Sequence, residues 1–455
     1  MKYFYRCMND LMMNWNELLS VKRLGKPTSG TITADTRTQF QRDYDRLIFS
    51  SPFRRMQNKT QVFPLPGSVF VHNRLTHSLE VASVGRSLGN MVSARLEQLG
   101  IEHPLLTEIG SVVAAACLAH DMGNPPFGHS GEDAIKAFFT NGEGRSLRTE
   151  VSEAEWKDLT FFDGNANAFR ILSHQFKGRR VGGFALTYTM LASIVKYPYE
   201  STLATKPKFG FFQSEKETFI EIARSIGLKQ AEANGVKFVR HPLVFLVEAA
   251  DDICYQIMDV EDAHKLRILS YEETKNFYLN FYNSSYDAQS LETINQTLEE
   301  VTDPNEQISF LRAGVISRLV NECVQVFTNK LDAILSGEYQ HSLISEISPV
   351  AQSAMQKVVD VSVKRIYADH SVIEIELAGY KVISTLMEHF IDAMLTKNKY
   401  NSKLLKLFPD QFMVDANASA YLKVQSVLDF VSGMTDVYAL DLYRKITGIN
   451  IPGIG

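Results

Sequence analysis

Cysteine is scarce in this 455-residue chain: there are four, Cys7, Cys117, Cys254 and Cys323, far apart and without a CxxC spacing. That excludes a disulfide framework or a thiolate metal cluster, and the residues read as reduced members of a core. Long apolar runs are missing as well. None approaches the ~18 residues of a membrane span, and the first ten residues, Met1 to Asp10, lack the continuous hydrophobic stretch of a secretory signal. A cytoplasmic protein with no membrane association is the expectation. Nor is there an excess of one charge: 47 basic against 52 acidic residues leave a net −5, too little for an overall field that would draw polyanions. A local exception is the segment 21–60, where Lys22, Arg23, Lys26, Arg37, Arg42, Arg46, Arg54, Arg55 and Lys59 face only Asp35, Asp43 and Asp45. That stretch could meet phosphates or be an ordinary solvated face.

Alternating strand-like patterns are few, and there is no internal repeat or low-complexity linker. Apolar residues instead recur every three or four positions, and hydrophobic content of 45% suffices for a large core. The spacing predicts helices over 76–99, 105–120, 131–139, 213–227, 242–265, 271–281, 306–337, 349–364, 378–396, 418–433 and 436–446, with Pro242 suited to a first turn. Short strands are expected at 61–63 and 68–71 and again at 208–212, and loops at 64–67, 141–144, 163–165 and 303–305. The fold class is mainly α, with residues 1–275 as an N-terminal arm and core and 276–455 as a helical C-terminal region packed on it.

The richest stretch follows the apolar run 112–119. It reads His120-Asp121-Met-Gly-Asn-Pro-Pro-Phe-Gly-His129-Ser-Gly-Glu132, setting an imidazole beside a carboxylate and then a second such couple in a Pro/Gly-rich turn. One His-Asp pair is weak evidence of ligation. His77, however, opens a predicted helix and can project into a cleft, and Asp251, Tyr255 and Asp259 share one face of the apolar helix 242–265 at i, i+4, i+8. Carboxylates on such a wall need a counter-charge, which a metal or a Lys/Arg partner could supply. Histidine nitrogen mixed with aspartate oxygen suits Mn²⁺, Fe²⁺, Co²⁺ or Mg²⁺ better than a structural zinc site.

At these residues the chain resembles the HD-superfamily deoxynucleoside triphosphate triphosphohydrolases, nearest the bacterial dGTPase type. The matching blocks run from Ser51-Pro52-Phe53-Arg54-Arg55-Met56 through Arg74-Leu75-Thr76-His77 and Ala119-His120-Asp121-Met122-Gly123-Asn124 to Asp163-Gly164-Asn165, Lys196-Tyr197-Pro198, Lys208-Phe209-Gly210 and Glu248-Ala249-Ala250-Asp251-Asp252. Ser432-Gly433-Met434-Thr435-Asp436 resembles the family's C-terminal region. The resemblance implies an HD-type helical core, metal ligation by His77, His120, Asp121 and Asp251, and proton chemistry by His129 and Glu132. It further implies that Gln61 and Asp259 hold the sugar 3′-hydroxyl and Tyr255 disfavours a 2′-hydroxyl. Arg74, Asn165, Lys196, Tyr197 and Lys208 would contact phosphates, and Glu376 would lie near the base. Asp163 stands where the family usually has Glu. The implied reaction is metal-dependent hydrolysis of a deoxynucleoside triphosphate, dGTP first, to deoxynucleoside and inorganic triphosphate. A homo-oligomer, as a hexamer, and a dNTP or single-stranded DNA effector are implied as well. The rival readings are a broader HD phosphohydrolase acting on other nucleotides and a nucleic-acid-binding regulatory module.

Overall fold

Asn73 and Thr76 form a reciprocal cap, each side chain bonded to the other's backbone N–H, and start the longest helix of the N-terminal half, α2 (Arg74–Gln98). The computed structural model describes residues 12–26, 36–64, 71–231 and 234–449. Ahead of α2 lies α1 (Gln39–Ile48), and after it come α3 (Ile109–Ala119), α4 (Gly128–Thr140) and α5 (Gly164–Ser173). The chain continues through α6 (Pro242–Lys265), α7 (Pro304–Asn329), α8 (His370–Leu395), α9 (Ala420–Ser432) and α10 (Asp436–Ile446), with shorter helices between.

Every residue of α3 except Ser111 is buried, as expected of a helix apolar all round. Its partner α2 runs antiparallel against it through glycines. A Cβ on Gly89 would sit 2.7 Å from Gly110 Cα, and one on Gly85 would sit 2.5 Å from Cys117 Sγ. Glycine inside a helix costs about 1 kcal/mol relative to alanine, and here that cost secures the close approach of two backbones. Helix α6, with Pro242 in its first turn and His241 as its cap, crosses both.

Among the described residues this gives two apolar cores. The larger is built on α2, α3 and α6 and extends into α7 and the helix Pro349–Val361. The smaller gathers Phe138, Phe139, Leu159, Phe162, Phe209 and Phe212 against Leu386, Phe390, Val427 and Phe430 of α8 and α9. The C-terminal region is thus divided between them: residues to Val372 extend the first, and those from Val382 onward close the second over α4. An ionic bolt joins α5 to α9. Buried Arg170 donates Nε and Nη2 to the two oxygens of Asp429 at 2.7 Å each and Nη1 to Glu215 at 2.5 Å.

The mainly α expectation holds, with local corrections. Among the described residues there are no strands, only isolated bridges such as Thr60 with Asn73 and Glu200 with Phe211. The segments 61–63 and 208–212 find no neighbour to form a ladder with, and most of the 68–71 strand lies outside the described residues. Asp163 and Asp303, read as loop residues, are N-caps of α5 and α7. The helix expected over 306–337 breaks at Lys330, and that expected over 349–364 gives way at Ser362 to a wider π-type turn ending at Ile366. Cys117, Cys254 and Cys323 are free and buried; Cys7 lies outside the described residues. Much of the basic 21–60 segment is spent internally: Arg23 pairs with buried Asp43 at 2.6 Å, Arg46 bonds the carbonyls of Phe184 and Ala185, and Lys59 is buried. Among the described residues no helix is long and apolar enough to cross a membrane.

Candidate metal centre and pocket

The first turn of α2 presents Arg74 and His77 on one side, and His120 follows directly on the end of α3. His120 Nδ1 lies 2.6 Å from the Cys117 carbonyl. A carbonyl only accepts, so Nδ1 carries a proton and Nε2 is the nitrogen left to face the site, the arrangement that orients a metal-binding histidine. Asp251, from the middle of α6, completes the group: its Oδ1 is 3.1 Å from His77 Nε2 and 3.3 Å from His120 Nε2. Ligand atoms of these three residues all lie within 4.8 Å of one another. His120 Nε2 is buried and makes no hydrogen bond. A buried ring nitrogen without a hydrogen bond, beside a second imidazole and a carboxylate, fits a divalent cation.

Electrostatics point the same way. Burial alone would raise the Asp251 carboxyl pKa, but His120 and His77 outweigh it and hold Asp251 well below the usual carboxylate range. For His120, burial pulls the pKa down while Asp121 and Asp251 together push it up to about 9, so a positive charge, whether a proton or a metal ion, is favoured at Nε2. Asp121 borders this trio with its oxygens turned elsewhere. Oδ2 accepts from Arg74 Nη1 at 2.7 Å, Oδ1 accepts from Asn124 Nδ2, and the nearest approach to His120 Nε2 is 3.7 Å.

The turn from Asp121 to His129 is tight. Phe127 takes the left-handed conformation at φ 61°, rare for a residue with a side chain, and Gly128 follows at φ 59°. Beyond them His129, its side chain 80% exposed, reaches over the cavity with Nδ1 3.7 Å from Glu132 Oε2. Glu132 is buried and its Oε1 accepts the Gly164 N–H at 2.7 Å. Burial would raise its pKa, but His129, Lys208 and that N–H prevail and keep it ionised.

Carboxylates hold the cations of the opposite wall. Glu248 accepts from Lys196 Nζ at 2.9 Å and Arg240 Nη2 at 2.7 Å, while Asp163 accepts from Asn165 Nδ2 at 2.9 Å and Lys208 Nζ at 3.1 Å. Asp163 thus supplies a fully buried carboxylate to this wall.

One cavity of about 290 Å³ is lined by Gln61, Arg74, His120, Asp121, His129, Glu132, Asn165, Lys196, Tyr197, Lys208, Asp251 and Tyr255. Two of the remaining sequence candidates sit close behind it. His77 meets Asp251 from the buried side, and Asp259 Oδ2 accepts the Tyr367 hydroxyl at 2.9 Å, the Tyr367 ring being stacked on Tyr255. Burial pushes the Asp259 pKa up to about 8. Glu376 is not brought in: it is exposed on α8, off the cavity wall, and only its main-chain carbonyl reaches the turn, accepting from Ser130 Oγ.

Sequence reasoning missed Asn124, Glu248 and Tyr367. Asn124 and Glu248 stand inside the quoted motifs, and Glu248 lies one turn before Asp251 on α6. Tyr367 had no local signal, because the π-type turn delivers it from 108 residues beyond Asp259.

Residues 74–180 match the model of the HD domain, and residues 345–445 match that of the phosphohydrolase-associated domain. A deoxyguanosinetriphosphate triphosphohydrolase-like protein of Synechocystis is 39% identical over 96% of this chain and 100% of its own length. The chain belongs to the deoxyguanosinetriphosphate triphosphohydrolase-like family. As an HD-domain hydrolase of this family it is also similar to a triphosphohydrolase-like protein of Pseudomonas aeruginosa, at 36% identity over 97% of this chain and 100% of the relative. The deoxyguanosinetriphosphate triphosphohydrolase of Yersinia enterocolitica is 30% identical over 95% and 99%. The HD match includes His77, His120 and Asp121 and ends well before Asp251, which α6 brings back to them.

Proposed function

We propose that the protein hydrolyses a deoxynucleoside triphosphate, dGTP first, at the α-phosphorus, releasing the deoxynucleoside and inorganic triphosphate. The observation that carries this reading is a single cavity in which the His120–Asp251 group, the His129–Glu132 couple and the cations of the facing wall converge. Relatives matched over essentially their whole length bear the triphosphohydrolase name.

His77, His120, Asp121 and Asp251 would hold Mn²⁺, Mg²⁺, Co²⁺ or Fe²⁺, with Asp121 exchanging part of its bonding to Arg74. A divalent ion held there supplies Lewis acidity toward a phosphate oxygen. Glu132 orients His129, which moves a proton at the attacking water or at the departing 5′-oxygen. Arg74, Lys196 and Lys208 offset charge developing on the phosphate oxygens, and Asn165 and Tyr197 add hydrogen bonds. Lys196 and Lys208 rest on carboxylates, so the triphosphate competes for cations already held at the wall. At the sugar end Gln61 Oε1 is buried without a partner, an acceptor for the 3′-hydroxyl, with Asp259 behind it and Tyr255 against the ring. A site built to bond a hydroxyl discriminates strongly by leaving its own polar groups unpaired when the wrong sugar enters.

The test is a panel of the four dNTPs and GTP with Mn²⁺, with products separated by ion-exchange chromatography. Deoxynucleoside plus triphosphate is the expected outcome. Nucleoside monophosphate plus pyrophosphate would sink the reading in favour of a broader HD phosphohydrolase.

A further inference from the structure

Asp436, in the Met434-Thr435-Asp436 motif, occupies the first position of α10, where an aspartate ordinarily faces water and complements the helix dipole. Here it is only 8% exposed. The cap of α10 is made by Thr435, whose hydroxyl accepts the Tyr438 N–H at 3.1 Å, so the Asp436 carboxylate is free for other work. Its two oxygens serve two segments remote in sequence. Oδ1 accepts the Phe127 N–H at 3.0 Å, and Oδ2 accepts the Thr60 N–H at 2.8 Å.

Both amides adjoin the pocket. Phe127 is the left-handed residue of the tight turn and precedes His129 by two, and Thr60 is followed by Gln61. A side-chain-bearing residue held at positive φ is destabilised unless its surroundings fix it. The fixing is done from the C-terminal region. Besides the Asp436 bond, a Cβ on Gly379 of α8 would lie 2.4 Å from Phe127 Cβ, so nothing larger than glycine leaves room for that ring. Nearby, Lys59 Nζ donates to the carbonyls of Asn124 and Ser432 at 2.6 and 2.8 Å, tying the same turn to the end of α9.

We infer that Asp436 is a positioning residue: by accepting one amide from each side, it sets the spacing across the pocket between Gln61 and His129. None of its bonds reaches His77, His120, Asp121 or Asp251: the two histidines and Asp251 are held by α2, α3 and α6, and Asp121 by Arg74 and Asn124. Its loss therefore acts on reactive geometry and spares metal binding, and a misplacement of about 1 Å at such a site costs on the order of 10²-fold in rate.

The kinetic arm of the test rests on the proposed triphosphohydrolase reaction; the exchange arm does not. Asp436→Ala and Asp436→Asn are compared with the wild type and with Thr435→Ala, which removes the α10 cap and leaves the two amide bonds. Expected for Asp436→Ala are a kcat drop of roughly 10²-fold with KM changed far less and Mn²⁺ affinity unaltered. Asp436→Asn, keeping one acceptor oxygen, falls between that variant and the wild type, and Thr435→Ala keeps its kcat. Hydrogen exchange rises at both the Phe127 and Thr60 amides in Asp436→Ala and at one of them in Asp436→Asn. The inference is overturned if exchange at those amides is unchanged, if Mn²⁺ affinity falls in step with kcat, or if Thr435→Ala loses as much activity as Asp436→Ala. A wild type without triphosphohydrolase activity would refute the proposed reaction and leave the exchange measurement to decide the tie.

Discussion

Replacing Arg170 by Met, a side chain of similar length, would leave Asp429 and Glu215 buried without their shared cation. Arg170 makes three charge-assisted bonds to these carboxylates in a setting where all three residues are almost entirely out of water. Summing each bond at its usual worth would overcount, because the carboxylates respond by taking up protons. Removing one partner of a buried ion group costs about 3–5 kcal/mol, and that is the expected loss for Arg170→Met. In the wild type, burial would raise the Glu215 pKa but Arg170 keeps it low, whereas burial already raises that of Asp429. Without the guanidinium both carboxyls shift upward relative to the unfolded chain. A carboxyl whose folded pKa exceeds its unfolded value binds more protons when folded, so stability falls as pH rises. Arg170→Met is therefore expected to be closest to wild type near pH 5 and to fall further behind toward pH 8. Urea denaturation followed by circular dichroism across that range measures both effects, and adding Asp429→Leu should recover much of the loss by removing one stranded charge. A cost below about 1 kcal/mol at pH 8, far under the buried-pair figure, or one independent of pH, would refute the reasoning.

Glu132→Gln can keep the bond to the Gly164 N–H but loses the charge beside His129; kcat should fall by about 10²–10⁴-fold, with Mn²⁺ affinity by calorimetry unchanged. Mn²⁺ at a hundred times its Kd should stabilise the fold by about 2.7 kcal/mol, reversed by EDTA and absent in His120→Ala and Asp251→Ala when melting temperatures are compared. His72 lies between Asp262 and Glu80, at 2.8 and 3.0 Å; burial lowers its pKa, but these carboxylates outweigh it and raise the value to about 10. Its folded value exceeds the unfolded one, so its contribution is complete below pH ~6.5 and declines as pH rises through about 10, at about 1.4 kcal/mol per unit. His72→Gln should flatten that alkaline decline in denaturation measured from pH 6 to pH 10.

The long helices were legible because caps and periodicity agree: Pro242 opens α6 where a proline belongs, and its apolar stripe runs unbroken to the last turn. The apolar pattern marked His77, His120 and Asp251 singly as candidates, and their convergence was legible only through the resemblance. Readings failed where a residue has two local meanings. Asp163-Gly164-Asn165 has turn composition, yet Asp163 caps α5 because Lys208 and the Phe209 amide fix its carboxylate from another part of the chain. Tyr367 was invisible because a π-type turn leaves no trace in apolar spacing. The Arg74–Asp121 bond was hidden too, because each residue already had a motif-based reading and the pairing depends on how α2 meets α3.

The seam between α2 and α3 sets the gauge of the candidate metal centre. His77 and His120 stand near one end of that antiparallel pair, their ring centroids 5.4 Å apart, and the glycines lie along the rest of it. A methyl group added at Gly89, about three turns from either imidazole, would pry the helices apart at the far end and tilt the two nitrogens away from a common point. The width available to an ion is governed as firmly by atoms that are missing from this distant contact as by the ligands that would surround it.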